Sequence, residues 1–110
     1  MFRAPVPSVH ATAVAADAYL LDVREPEEWV AGHAPDALHV PLGEVTARLA
    51  EIPADRQVVV VCRSGARSAQ ATAYLNRTGR TAVNLDGGMH AWAAAGRPMV
   101  SETGQPPVVA

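Results

Sequence analysis

Lysine is absent from this 110-residue chain, and all nine basic positions are arginine. Cysteine occurs once, at Cys62, and aromatic residues make up only 5%. Each shortage excludes something. A lone thiol cannot close an internal disulfide, so the fold requires no oxidising compartment. There is no C-x-x-C pair and no H-x-x-x-H pair, and His33, His39 and His90 are not at metal-ligand spacing with Cys62, so neither a resident metal nor a cofactor is expected. Eleven acidic residues against nine basic ones give a net charge of −2, which leaves no overall basic field to attract nucleic acid or an anionic membrane. Long apolar runs are missing as well, so no segment could span a bilayer. Ala13, Ala15 and Ala16 faintly resemble a signal cleavage site, but Pro5, Pro7, His10 and Asp17 interrupt the apolar stretch that a leader needs. The expectation is a cytoplasmic protein. Its lysine-free, alanine- and valine-rich composition suits the coding bias of a GC-rich, bacterial genome.

What is present is enough for one domain. At 110 residues, with 49% apolar and 18% charged residues, the chain can bury a single core but not two. Residues 1–110 are expected to form that one domain, with its core over about residues 8–100. Met1 to Pro7 reads as a loose lead-in, and residues 101–110, with Pro106-Pro107, as a frayed tail.

Apolar runs and breakers divide the core. Ala18–Val23, Leu38–Val40, Gln57–Val61 and Ala82–Leu85 read as strands. Glu25-Pro26-Glu27-Glu28 opens a helix, because proline is tolerated at the first helical position and acids suit the positive end of the dipole. Trp29 and Val30 would form its buried stripe and Gly32 its stop. Leu42, Val45, Leu49 and Ile52 recur at helical spacing, which predicts an amphipathic helix over Leu42–Ile52. Further helices are expected over Ser68–Asn76 and Met89–Ala95. Strands alternating with helices about twenty residues apart call for crossover connections. The fold class is therefore α/β, a mainly parallel sheet with helices.

Sites in such sheets form beyond the carboxyl ends of the strands. Three strand exits carry unusual residues: Asp22 to Arg24, Cys62 to Ser68, and Asp86 to Gly88. A parallel sheet places all three on one edge. Of these, Val58-Val59-Val60-Val61 leading into Cys62-Arg63-Ser64-Gly65-Ala66-Arg67-Ser68 is the most informative. A thiol between a strand end and a helix start faces converging backbone N–H groups and the positive end of the helix dipole, which favour a thiolate. Gly65 can take a positive φ, which curls the loop into an anion nest. Arg63 and Arg67 add permanent positive charge with a fork that suits oxyanions. Ser64 and Ser68 could hydrogen-bond the sulfur, or Ser68 could cap the helix. The plainer alternatives are a buried cysteine acting as a small hydrophobe and solvated surface arginines. Asp22 reads as a scaffold that bonds loop amides or Arg24, and His33 as a structural hydrogen-bonding histidine rather than a base.

Leu21-Asp22-Val23-Arg24, with Glu25, Glu28-Trp29, Gly32-His33 and Pro35, resembles the N-terminal signature of rhodanese-homology domains. The Cys62–Ser68 segment resembles their active-site loop, and Leu85-Asp86-Gly87-Gly88 with Trp92, Gly96 and Pro98 their C-terminal signature. The chain departs at Ala34 and Asp36, where the family usually has isoleucine and glycine. The resemblance implies a three-layer domain with a parallel sheet of about five strands flanked by helices on both faces. It also implies sulfurtransfer. Cys62 would attack the outer sulfur of thiosulfate or a similar anionic donor and become a persulfide, and cyanide or an external thiol would then remove that sulfur. The amides of Arg63, Ser64, Gly65, Ala66 and Arg67 would cradle the sulfur, with Ser68 closing the loop. Arg63 and Arg67 would draw in the donor, and Asp22 and Arg24 would support the site. With no second cysteine the acceptor must be external, a small thiol or a sulfur-accepting protein. Two rival readings stand beside it: a persulfide carrier or regulatory module serving a protein partner, and a phosphatase. Related phosphatases place arginine six positions after cysteine, where this chain has Ser68.

Overall fold

The computed structural model describes residues 6–110, so the lead-in expected over Met1 to Pro7 lies largely outside the described residues. Five strands form one sheet: β1 (Ser8–Val9), β2 (Tyr19–Asp22), β3 (Leu38–His39), β4 (Val58–Val61) and β5 (Ala82–Leu85). Their order is β1-β5-β4-β2-β3, and every neighbouring pair is parallel. The helices are α1 (Pro26–Ala31), α2 (Ala66–Arg77) and α3 (Gly88–Ala94). The sheet and its helices make the α/β three-layer architecture.

The centre of the sheet explains its stability. Strand β4 is four valines, all buried, and side chains alternate across the pleat. Val58 and Val60 join Leu21, Ile52 and Leu75 on the α2 face, while Val59 and Val61 join Leu20, Leu85, Met89 and Trp92 on the α3 face. Each fully buried valine contributes about 1.5–3 kcal/mol through loss of apolar surface to water. A continuous β-branched run suits a strand covered on both sides. The run therefore ends in a rigid mount for Cys62.

Strand β1 completes the five strands that the resemblance implies, although two residues after proline-rich sequence carry no apolar pattern; the backbone amides of Asn84 and Asp86 donate to the carbonyls of Pro7 and Val9 at 2.7 and 2.9 Å. Three expectations need correction. The helix expected over Leu42–Ile52 is instead two 3₁₀ turns, Leu42–Glu44 and Leu49–Glu51, joined by a turn. The apolar positions were right, since Val45 and Ile52 are buried. Spacings of three and four satisfy tight i→i+3 turns as well as an α-helix, and Gly43 and Thr46 weaken the latter. Helix α1 has no fully buried residue, and Val30 is exposed. Trp29 instead lies stacked against the imidazoles of His33 and His39, with centroids at 3.5 and 4.7 Å. The segment expected to fray is hydrogen-bonded. The amides of Glu102 and Val108 donate to the carbonyls of Val30 and Ala31 at 2.9 and 3.0 Å. The last carbonyls of a short helix have no partner within it, and the tail supplies donors for them.

Candidate active site

Cys62 leaves the end of β4 with only 1% of its surface exposed. The chain then turns back through Gly65, at φ 112°, a left-handed conformation that a side chain would strain. This turn aims the Gly65 amide at the cysteine, and it donates to Sγ at 3.0 Å. Helix α2 starts at once, and its third residue, Ser68, is fully buried with its hydroxyl donating to Sγ at 3.2 Å. The structure thus decides between the two roles open to Ser68. Its hydroxyl bonds the sulfur, and no side chain caps α2.

Burial pushes the Cys62 thiol up, but the Ser68 hydroxyl and the amides of Ser68, Gly65 and Ser64 outweigh it and hold the thiol below its ordinary range. The positive end of the twelve-residue α2 acts in the same direction. Converging donors and a lowered pKa give the Cys62 sulfur the setting that favours a reactive thiolate over a packing residue.

The loop is held from two sides. The amides of Met89 and His90, in the first turn of α3, donate to the carbonyls of Cys62 and Arg63 at 2.8 and 3.1 Å. This approach requires glycine at position 88, which sits at φ 58° and where a Cβ would run into those same two carbonyls. From β5, the Asn84 amide group donates to the Gly65 carbonyl at 3.1 Å. The three strand exits do converge, and the third one clamps the second.

Asp22 and Arg24 form a buried ion pair. The Arg24 guanidinium donates to Asp22 Oδ2 at 2.7 Å through one terminal nitrogen and to Oδ1 at 3.0 Å through Nε, while the Arg24 amide also reaches Oδ1 at 3.0 Å. The same guanidinium donates to the Gly32 carbonyl at 2.8 Å, so it caps the end of α1. Neither residue reaches the sulfur. His33 contacts the Ala34 carbonyl and Glu102 Oε1, both at 2.9 Å, in keeping with a structural histidine.

The two arginines expected to greet the donor are both engaged. Arg67 donates through its two terminal nitrogens to Glu28 Oε1 and Oε2 at 2.7 and 2.9 Å. The exposed Arg63 donates from Nε to the backbone oxygen of Ala110 at 2.9 Å. Glu28 is the residue that sequence reasoning missed. It read as a first-turn acid facing the helix dipole, and nothing local signals a partner 39 positions away. The Arg67 bond, against some burial, lowers the Glu28 carboxyl to about 2. Ala66 and Ser64 supply backbone to the loop. A cavity of about 560 Å³ lined by Tyr19, Arg56, Trp92 and Arg97 opens at the opposite edge of the sheet, beyond the strand starts, and takes no part in this site.

A doubly covered parallel sheet with a cysteine loop at its carboxyl edge, pinned by a glycine-started helix, defines a small α/β domain built around one buried cysteine. Residues 8–95 match the model of the rhodanese-like domain, and the chain belongs to that family. It is 51% identical over 89 residues to a sulfurtransferase of Allochromatium vinosum, covering 80% of this chain and 83% of that protein. The crystal structure of a rhodanese-related protein from Thermoplasma volcanium superposes with a TM-score of 0.81 at 30% identity, covering 86% of this chain and 97% of that one. A NAD-dependent persulfide reductase from A. fulgidus contains a similar portion, with a TM-score of 0.68 at 35% identity over 79% of this chain and 16% of that one. Among the described residues, no helix is long and apolar enough to cross a membrane.

Proposed function

We propose that this protein moves sulfane sulfur through a persulfide on Cys62. The carrying observation is the Cys62 sulfur itself, buried at a strand end and receiving hydrogen bonds from the Gly65 amide and the Ser68 hydroxyl. In the first half-reaction the Cys62 thiolate attacks the outer sulfur of a donor such as thiosulfate. A new S–S bond forms, the donor's S–S bond breaks, and sulfite departs with the electron pair. In the second half, cyanide or an external thiolate attacks the outer persulfide sulfur and returns Cys62 as thiolate. The donors that hold the thiolate are placed to hold the charged persulfide as well, so neither half-reaction must create a new charge without partners.

The amides of residues 63–67 and the Ser68 hydroxyl form the sulfur cradle in this reading. Asp22 and Arg24 support it by fixing α1, and the cytoplasm of a bacterium is its setting. Cys62 is the chain's one thiol, so the loaded sulfur leaves to an acceptor outside the chain. In a second reading that acceptor is one protein partner rather than cyanide or a small thiol.

The test is the intact mass of the protein after exposure to thiosulfate and, separately, to an alkyl persulfide. The expected result is a gain of one sulfur atom, lost again on adding cyanide, with no gain in Cys62→Ser, a nearly isosteric change that keeps the fold. If neither donor adds sulfur, or the Cys62→Ser protein gains it equally, the reading is wrong.

A further inference from the structure

The Cys62 loop carries two guanidiniums, and the charge of one of them, Arg67, is already matched. Arg67 is held by both oxygens of Glu28, which is only 15% exposed in its side chain. Glu28 cannot swing away easily, because its Oε1 also accepts from the Glu25 amide at 2.9 Å in a capping box that starts α1. Helix α1 is itself fixed from behind by the Arg24 guanidinium on the Gly32 carbonyl. With its carboxyl lowered to about 2, Glu28 stays ionised throughout the working pH range. Arg67 is the second residue of α2, and its neighbour Ser68 donates to the Cys62 sulfur at 3.2 Å, so its charge sits one position from a group that touches the reacting atom.

With Arg67 paired to Glu28, the loop's remaining guanidinium is the exposed Arg63, which donates to the Ala110 backbone oxygen. One solvent-screened cation beside a thiolate leaves little positive field to draw in a dianion. Thiosulfate brings two negative charges, and its attack asks a thiolate to approach them. An alkyl persulfide brings at most one at its reacting end, and none when protonated.

Resting on the sulfurtransfer reading, we propose that Glu28 sets the donor class: by neutralising Arg67 it turns the Cys62 loop from thiosulfate toward alkyl persulfides, R–S–SH. The Cys62 thiolate attacks the terminal sulfur of the donor, forming the new S–S bond. The donor's own S–S bond breaks, its electron pair leaves with R–S⁻, which takes up the persulfide's proton as R–SH, and Cys62–S–S⁻ remains on the loop donors. Nothing is oxidised or reduced overall. Glu28 touches Arg67 and not the donor, so it is a specificity-determining positioning residue.

The experiment is the second-order rate constant for loading Cys62, read by quenched intact mass, with thiosulfate and with cysteine persulfide. The wild type is expected to load faster from the persulfide. Glu28→Gln keeps the capping box, since glutamine also accepts at that position, while removing the charge. It should raise the thiosulfate-to-persulfide ratio by about fivefold, the scale of one partly shielded charge at a semi-exposed site. The double variant Glu28→Gln/Arg67→Gln should return the ratio to the wild-type level, a recovery that a merely structural role would not produce. A wild type that prefers thiosulfate overturns the proposal. So does a Glu28→Gln ratio within twofold of wild type, or a double variant that keeps the raised ratio; in all three cases sulfurtransfer itself stands. Failure of both donors to load Cys62 removes the sulfurtransfer reading, and this inference with it.

Discussion

Replacing Ser68 with alanine isolates one of the few contacts that decide the state of the Cys62 sulfur. The serine is fully buried, and its hydroxyl donates to Sγ at 3.2 Å, so alanine removes one donor and leaves no other polar group orphaned. Burial alone raises a thiol's pKa, and the net lowering at Cys62 depends on donors that oppose it, with the Ser68 hydroxyl ahead of the backbone amides. A hydrogen bond to a charged group is worth about 1.5–3 kcal/mol, and sulfur is a weak acceptor, so the lower end applies. One pKa unit corresponds to about 1.4 kcal/mol, and Ser68→Ala should therefore raise the thiol's midpoint by about one unit. The assay is the pH dependence of iodoacetamide alkylation, with the wild-type midpoint expected below the free-thiol value of about 8.5. The sign carries over to stability. Between its lowered folded pKa and its unfolded one, Cys62 is deprotonated in the native state and protonated in the unfolded state. The native state then binds fewer protons, so stability rises with pH across that window and is lost as pH falls through the folded pKa. Ser68→Ala should narrow the window from below. A wild-type midpoint at or above the free value, or one unmoved in Ser68→Ala, would refute the claim that these donors set the thiolate.

Two further outcomes concern the supports. Gly88→Ala should destabilise the protein by about 2 kcal/mol or more in urea denaturation, because it combines a left-handed φ with a Cβ aimed at the Cys62 and Arg63 carbonyls, and sulfur transfer should fall with it. A variant as stable and as active as wild type would mean that α3 can move without disturbing the loop. Arg24→Met leaves the Asp22 carboxylate buried without its partner and should cost about 3–5 kcal/mol by the same measurement; a loss under about 1 kcal/mol would show that the pair does not anchor α1.

Most of the fold was legible because it rests on short-range patterns. Four buried valines in a row, a proline-opened acidic turn, and glycines at the ends of apolar stretches each report a local physical preference. Where the sequence misled, two structures shared one pattern or the deciding contact was distant. The apolar rhythm of Leu42, Val45, Leu49 and Ile52 buries the same side chains in 3₁₀ turns as in an α-helix, so periodicity alone could not separate them. The tail's order depends on carbonyls at the end of α1, more than seventy positions earlier, and no local feature of Ser101 to Ala110 announces them.

The site shows the same division, with a sharper consequence. Cys62, Gly65 and Ser68 were legible because they act on one another within a single turn of chain. The electrostatic setting of the loop was not, since it is delivered through a relay of elements. Asp22 fixes Arg24 inside the sheet edge, Arg24 holds the end of α1, and α1 carries Glu28 to Arg67. Read as sequence, Arg67 is a cation beside a nucleophile, and attraction of anions follows directly. Read with its partner, it is half of a neutral pair whose geometry the buried Asp22–Arg24 pair maintains. A scaffold motif therefore does more than keep the domain folded: it fixes how much charge the catalytic loop can offer to a substrate. An arginine in a motif predicts anion binding only to the extent that no carboxylate elsewhere in the fold has already claimed it.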